Sequence, residues 1–123
     1  MTIELLLPAA TPSLNKVLRC HWAVRKRLKA SWSLLVLRAV GNSGNMAALK
    51  ATGKRHVTVV RFGKKVADYD NLVGGCKSLL IDNLVAHGLL VDDSPTWLEC
   101  EYLQDRPPKG EAEHTRVILR DAS

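Results

Sequence analysis

A helix-period apolar pattern framed by two acidic clusters constrains this chain more than any other feature. Leu72, Cys76, Leu79, Leu80 and Leu84 recur mostly three or four residues apart, and Gly88 stands where a C-terminal cap belongs. Residues 71–87 are therefore expected to form a helix with one apolar face. Ala67-Asp68-Tyr69-Asp70-Asn71-Leu72 leads into it, and Leu89-Leu90-Val91-Asp92-Asp93 leads out. Ahead of both, Arg55–Phe62 is a β-branched run and the clearest strand, with Gly63-Lys64-Lys65 turning out of it.

The other elements follow from the same periodicities. Thr2–Leu7 reads as a short strand ended by Pro8, and residues 8–13, with two prolines, read as a loop. Ser13 or Asn15 can cap what comes next. Val24, Leu28, Trp32, Leu35 and Ala39 mark one face of a helix over residues 21–40, widened by Leu34 and Leu37. Gly41-Asn42-Ser43-Gly44-Asn45 breaks that helix, and residues 46–51 are expected to add a turn or two. Leu89-Leu90-Val91 is expected to be a short buried strand.

Residues 97–104 alternate, with Leu98, Cys100 and Tyr102 on one face and Glu99 and Glu101 on the other. Thr115, Val117 and Leu119 alternate with Arg116 and Arg120, and the two segments are expected to pair antiparallel. The 123 residues make one domain. Its expected class is α+β: a small mixed or antiparallel sheet packed with two main helices. Gly74-Gly75 inside a helix costs about 2 kcal/mol relative to alanine. Close helix packing, including across a dimer, or close approach of a nucleic-acid backbone is expected to compensate.

Charge is divided unevenly along the chain. Residues 1–65 carry 13 Lys/Arg and one acid, Glu4, a balance of +12; residues 66–123 carry 5 Lys/Arg and 11 acids, a balance of −6. The basic half points to a polyanion partner and the acidic half to metal chemistry. Lys16, Arg19, Arg25, Lys26, Arg27 and Lys29 form an acid-free block suited to phosphate contact, and Arg61, Lys64 and Lys65 adjoin the acidic stretch. No apolar run reaches the roughly 20 residues that span a bilayer, and Met1–Pro8 lacks the features of a signal peptide. A cytoplasmic protein without membrane association is expected.

Like charges held close resist joint ionisation unless a cation compensates. Asp68 and Asp70 are two apart and point to one side of an extended segment. Asp70 is also placed to cap the helix, where the dipole favours its charge. If the run after the helix brings the chain back, Asp92 or Asp93 joins the first pair and three carboxylates surround one site. Oxygen ligands of this kind select Mg²⁺ or Mn²⁺. Such an ion can activate water and stabilise charge on a phosphodiester. Lys77, two helical turns after Asp70, is placed to contact phosphate. Turn and cap aspartates without a metal are the simpler alternative. His21, His56, His87 and His114 show no ligand spacing, and Cys20, Cys76 and Cys100 are expected as small buried hydrophobes.

Asp68-Tyr69-Asp70-Asn71-Leu72, Lys77, Asp82, Leu84, Gly88 and Asp92-Asp93 together resemble the signature of the RusA family of Holliday junction resolvases, proteins often carried by phages. Pro12-Ser13-Leu14-Asn15 is similar to that family's opening. The resemblance implies a Mg²⁺-dependent homodimeric endonuclease that nicks four-way junctions symmetrically. Its essential carboxylates would be Asp68, Asp70 and Asp93, with Asp92 adjacent, and its functional lysine Lys77. The family's lysine normally follows the DNL triplet closely, where this chain has Gly74; a single local insertion accounts for that shift and for the displaced acid pair. The competing expectation is a non-catalytic nucleic-acid-binding module with a structural cation site. A metal-dependent enzyme acting on nucleotides is a third, disfavoured because a small substrate needs no extended cationic surface.

Overall fold

The computed structural model describes residues 2–44 and 46–122. Strands β1 (Thr2–Leu7), β2 (Arg55–Phe62), β3 (Leu98–Asp105) and β4 (His114–Asp121) form one mixed sheet in the order β1-β4-β2-β3. β4 runs antiparallel to both β1 and β2, whereas β2 and β3 are parallel. Parallel neighbours require a crossover. It is made by α4 (Tyr69–Cys76), a π-helical segment (Lys77–Ile81) and α5 (Asp82–Ala86). With the helices on one face, the domain is α+β.

The antiparallel pair expected between residues 97–104 and the last strand does not form, because β2 lies between them. Val57 faces Cys100 on one side and Leu119 on the other, and Val59 faces Tyr102 and Val117. The most β-branched run thus takes a central place, where both its edges are hydrogen-bonded and Val57 and Val59 are buried. β3 ends and β4 begins beside Phe62. Two strand spacings, roughly 10 Å, separate them, so residues 106–113 cross over the end of β2 instead of making a tight hairpin.

Alternation places Ile3, Leu5 and Leu7 of β1, Val57 and Val59 of β2, and Val117 and Leu119 of β4 in the core. Leu72, Cys76, Leu79, Leu80, Ile81 and Leu84 from the crossover complete it. An α-turn does not bury three consecutive residues on one stripe. Leu79, Leu80 and Ile81 are buried in succession because the helix of residues 22–43 packs against this segment as well.

α1 (Leu14–Arg19) is capped by Ser13, whose hydroxyl accepts from the Lys16 amide at 3.3 Å. α2 (Trp22–Ser43) runs three residues beyond the expected end and stops at Gly44, whose φ of 146° suits glycine. The expected apolar face is only half used. Trp32, Val36, Ala39 and Val40 are buried and Leu28 and Leu35 pack partly, but Val24 is exposed, and no residue from 22 to 31 is buried. The front of α2 projects past the core. α3 (Met46–Leu49) is one short turn.

Leu89 and Leu90 are buried, yet they form no strand: both amides bond back to the Leu84 carbonyl, at 2.9 and 3.3 Å. The chain folds under α5, and the Leu89 carbonyl accepts from Arg55 at 2.8 Å. Of the cysteines, Cys76 is fully buried, whereas Cys20 and Cys100 are only partly so.

The two glycines in α4 are explained within one chain. A Cβ on Gly75 would lie 1.9 Å from the Pro12 carbonyl oxygen, and one on Gly74 would lie 2.6 Å from Leu14 Cδ2. The segment before α1 rides directly on α4, so neither a dimer nor a nucleic acid is needed to account for them. Gly75→Ala gains about 1 kcal/mol of helix propensity and forces apart two backbones, an overpacking cost of about 1–3 kcal/mol or more. A net drop in Tm of about 5–10 °C is expected from thermal unfolding. No drop would mean that the Pro12 loop yields freely. Among the described residues, no helix is long and apolar enough to cross a membrane.

Candidate functional site

The sequence leading into α4 is held at the C-terminal end of β2 and β3. Gly63 donates its amide to the Asp105 carbonyl at 3.0 Å, extending the β2–β3 ladder by one bond. Gln104 then grips Ala67: its side-chain oxygen accepts from the Ala67 amide at 3.0 Å, and its Nε2 donates to the Ala67 carbonyl. Gln104 continues the inward phase of Leu98, Cys100 and Tyr102, a signal that marks it as a polar side chain aimed at neighbouring backbone. The carboxylate that follows is thereby set in place.

Asp68, not Asp70, caps the helix. Its Oδ1 accepts from the Asn71 amide at 3.0 Å and from Asn71 Nδ2 at 3.1 Å, and its Oδ2 accepts from Nδ2 at 3.0 Å. Asp68 has the extended backbone of an N-cap, with ψ 163°, and its carbonyl accepts the first helical bond from Leu72 at 2.9 Å. Asp70 falls two residues too late and sits inside the first turn, exposed. Asn71 Oδ1 in turn accepts from the Asn15 amide at 2.8 Å, tying α4 to α1. The Asn71 bonds hold the Asp68 carboxyl below the usual range, first through the backbone donor and then the side chain. Three lone-pair positions of this carboxylate are used, leaving capacity for a further partner.

Beside Asp68 opens a cavity of about 640 Å³, lined among others by Ser13, Lys16, Arg61, Lys64, Lys65, Asn71 and Glu113. Arg61 shapes its wall: Nε donates to the Thr11 carbonyl and one terminal nitrogen to the Lys65 carbonyl, each at 2.7 Å. Lys64 anchors its turn through its own amide to Glu113 Oε2 at 2.7 Å. Lys16, Lys64 and Lys65 are exposed and make no ion pair among the described residues. Lys77 is exposed as well, two turns along α4 from Asp70, so these two mark one solvent-facing stripe.

Asp92 and Asp93 lie at the other end of the sheet. The Trp97 and Leu98 amides both donate to the Ser94 carbonyl at 2.9 Å, and Leu98 pairs with Arg55, the first residue of β2. Asp68 follows the last residue of β2. An eight-residue strand spans roughly 23 Å, and a parallel crossover returns the chain to the end from which the first strand started. The expected gathering of Asp68, Asp70 and Asp93 within one chain therefore does not occur. Among the described residues, no group of three or more His, Cys, Asp or Glu side chains is placed to hold a metal ion. One copy of the chain brings no third carboxylate to Asp68 and Asp70 and does not fit a resident Mg²⁺ by itself. Arg25, Lys26 and Arg27 are on the projecting part of α2, apart from the cavity wall. The π-helical turn starts at Lys77.

Asp68, Glu99 and Asp121 all have depressed carboxyl pKa values, through Asn71, Lys54 and Arg55 respectively. A carboxylate with a lowered folded pKa contributes stability above its unfolded pKa and loses it as pH falls through the folded value. Tm is thus expected to hold down to about pH 4 and to fall below it. Asp68→Asn keeps a good cap, so it should leave Tm near pH 7 almost unchanged and flatten the acid limb. A limb identical to that of the unaltered protein would show that Asp68 contributes nothing to it. No protein-family model matches the chain, and no curated protein matches it.

Proposed function

We propose that this chain is a metal-dependent, structure-selective endonuclease of the RusA type that acts on four-way DNA junctions as a homodimer. The observation that supports it best is the Asp68 end of the sheet. There exposed Asp68 lines an open cavity that also carries Lys16, Lys64 and Lys65, and exposed Asp70 follows in the first turn of α4. Carboxylates serve a hard cation and lysines serve phosphate, which is the pairing that phosphodiester hydrolysis requires.

Because Asp93 is at the opposite end of its own sheet, the proposed site is completed by a second copy. A twofold axis that sets two such sheets antiparallel brings Asp92 and Asp93 of one copy toward Asp68 and Asp70 of the other, and generates two equivalent sites. Exposed apolar residues flank both ends, Val66 and Tyr69 at one and Val91 and Trp97 at the other, as material for such a contact. In this assembly, Asp68, Asp70 and Asp93 would hold Mg²⁺, or Mn²⁺ in its place. The bound ion would supply Lewis acidity toward the phosphodiester. Lys77 and the cavity lysines would bind the neighbouring phosphates.

One observation favours a second reading, a nucleic-acid-binding module without catalysis: Asp68 is already occupied as a helix cap, and one copy assembles no three-ligand group among the described residues. A labelled four-way junction with Mg²⁺, run beside a linear duplex of the same sequence, separates the two. Paired nicks on the junction alone support the nuclease; salt-sensitive binding without product supports the module.

A further inference from the structure

The front of α2 contributes little to the core, where only Leu28 packs in part. It carries Arg25, Lys26, Arg27 and Lys29 within about one and a half turns, with no buried residue from 22 to 31. Of these cations only Lys29 has an ion-pair partner among the described residues, Asp82 at 3.4 Å. At the tip, Trp22 is 64% exposed and packs obliquely on His21, with ring centroids 5.6 Å apart. An indole this open to water is unfavourable unless something covers it.

α2 runs parallel to α5. Lys29 meets Asp82 and Asn83, and one turn later Ser33 meets His87 at 2.8 Å. Trp22 is seven residues ahead of Lys29, roughly 10 Å back along the axis. That direction leads toward α4 and the Asp68 end. The projection and the basic cavity thus share one end of the molecule.

We propose that the front of α2 is a nucleic-acid-reading arm whose cations bind backbone phosphates while Trp22 stacks on a base left without a stacking neighbour at a branch point. This rests on the nucleic-acid reading of the chain and names the residue that would distinguish branched DNA from duplex. Charge selects the occupant. Residues 25, 26 and 27 are 100° apart around the axis, so cations occupy several faces and no apolar stripe remains to lie in a bilayer. The sequence has no acid between Glu4 and Asp68, and Asp82, which reaches the arm from α5, is paired with Lys29. Phosphates on several sides of a projecting helix and an aromatic face at its tip match an opened junction.

The test measures binding in EDTA, with a four-way junction carrying 2-aminopurine at an innermost position and a linear duplex as control. Trp22→Ala should weaken junction binding about tenfold, leave the duplex affinity within about twofold, and remove the quenching of 2-aminopurine. Trp22→Phe should retain most of both. Arg25→Ala with Lys26→Ala should weaken junction and duplex alike and lower the salt slope by roughly 2. Trp22 has no buried contact to lose, so an unchanged Tm accompanies these results. Equal losses on both DNAs with Trp22→Ala, no loss on either, or Trp22→Phe behaving like alanine would overturn the proposal. So would Trp22-dependent binding to anionic vesicles in place of the junction. Without metal, none of these readouts depends on cleavage. A chain that binds as described but never nicks loses only the nuclease reading, and one that nicks with Trp22→Ala at full affinity loses only the arm.

Discussion

Asp70→Asn is expected to lower Mg²⁺-dependent nicking of a four-way junction by on the order of 10³-fold, with binding in EDTA unchanged. Asp93→Asn should have the same effect, although it lies at the other end of the sheet. The geometry makes a mixture of the two variants decisive. In a mixed dimer with composite sites, one site loses both acids and the other keeps Asp68 and Asp70 from one copy and Asp93 from its partner. Random exchange makes half of the dimers mixed, so about a quarter of the sites recover. The product should be single nicks in place of paired ones. If all three acids worked within one chain, every site in the mixture would stay damaged and no activity would return. Absence of nicking by the unaltered protein would end the nuclease proposal outright.

Arg55→Met is expected to cost about 3–5 kcal/mol of stability, a fall in Tm of roughly 10–20 °C. Arg55 is the first residue of β2 and only 3% exposed. Its Nε donates to Asp121 at 3.0 Å, and one terminal nitrogen donates to both the Leu49 and Leu89 carbonyls at 2.8 Å. These carbonyls belong to segments without β-ladder partners, the end of α3 and the turn beyond α5. Methionine fills the volume but leaves both carbonyls unsatisfied away from water. Asp121→Ala should cost much less, because that carboxylate is exposed and water can replace it. Urea unfolding of the two variants checks the order; a loss from Asp121→Ala as large as from Arg55→Met would place the energy in the ion pair and not in the buried carbonyls.

Arg55 also marks where sequence reasoning stops. As the first residue of a β-branched run it looks like a solvated strand end, and nothing local reveals that two carbonyls from distant segments converge on it. Gln104 is the opposite case. It continues the inward phase of β3, so its grip on Ala67 follows from alternation already visible in the sequence. Asp68 and Asp70 lie between these extremes. That one of them caps α4 was legible from the residue types, but which one depends on where the first helical bond closes, a choice settled when Gln104 fixes Ala67 and Asn71 reaches back to Asp68.

The sequence by itself determined the α+β class, the four strands though also a fifth at 89–91 that does not form, the helical stretch that follows Asp68, and the separation of a basic half from an acidic one. Side-chain periodicity and charge order are properties of the chain before it folds. Tertiary structure alone decided that β2 lies between β3 and β4, that Gly75 makes room for Pro12, and that the front of α2 is barely used by the core. It also put Asp93 at the far end of the sheet from Asp68. Periodicity states which face of an element is buried, but not which element buries it. A strand-helix-strand stretch returns to its own starting edge when the strands pair in parallel, and pairing is set by burial summed over the whole sheet.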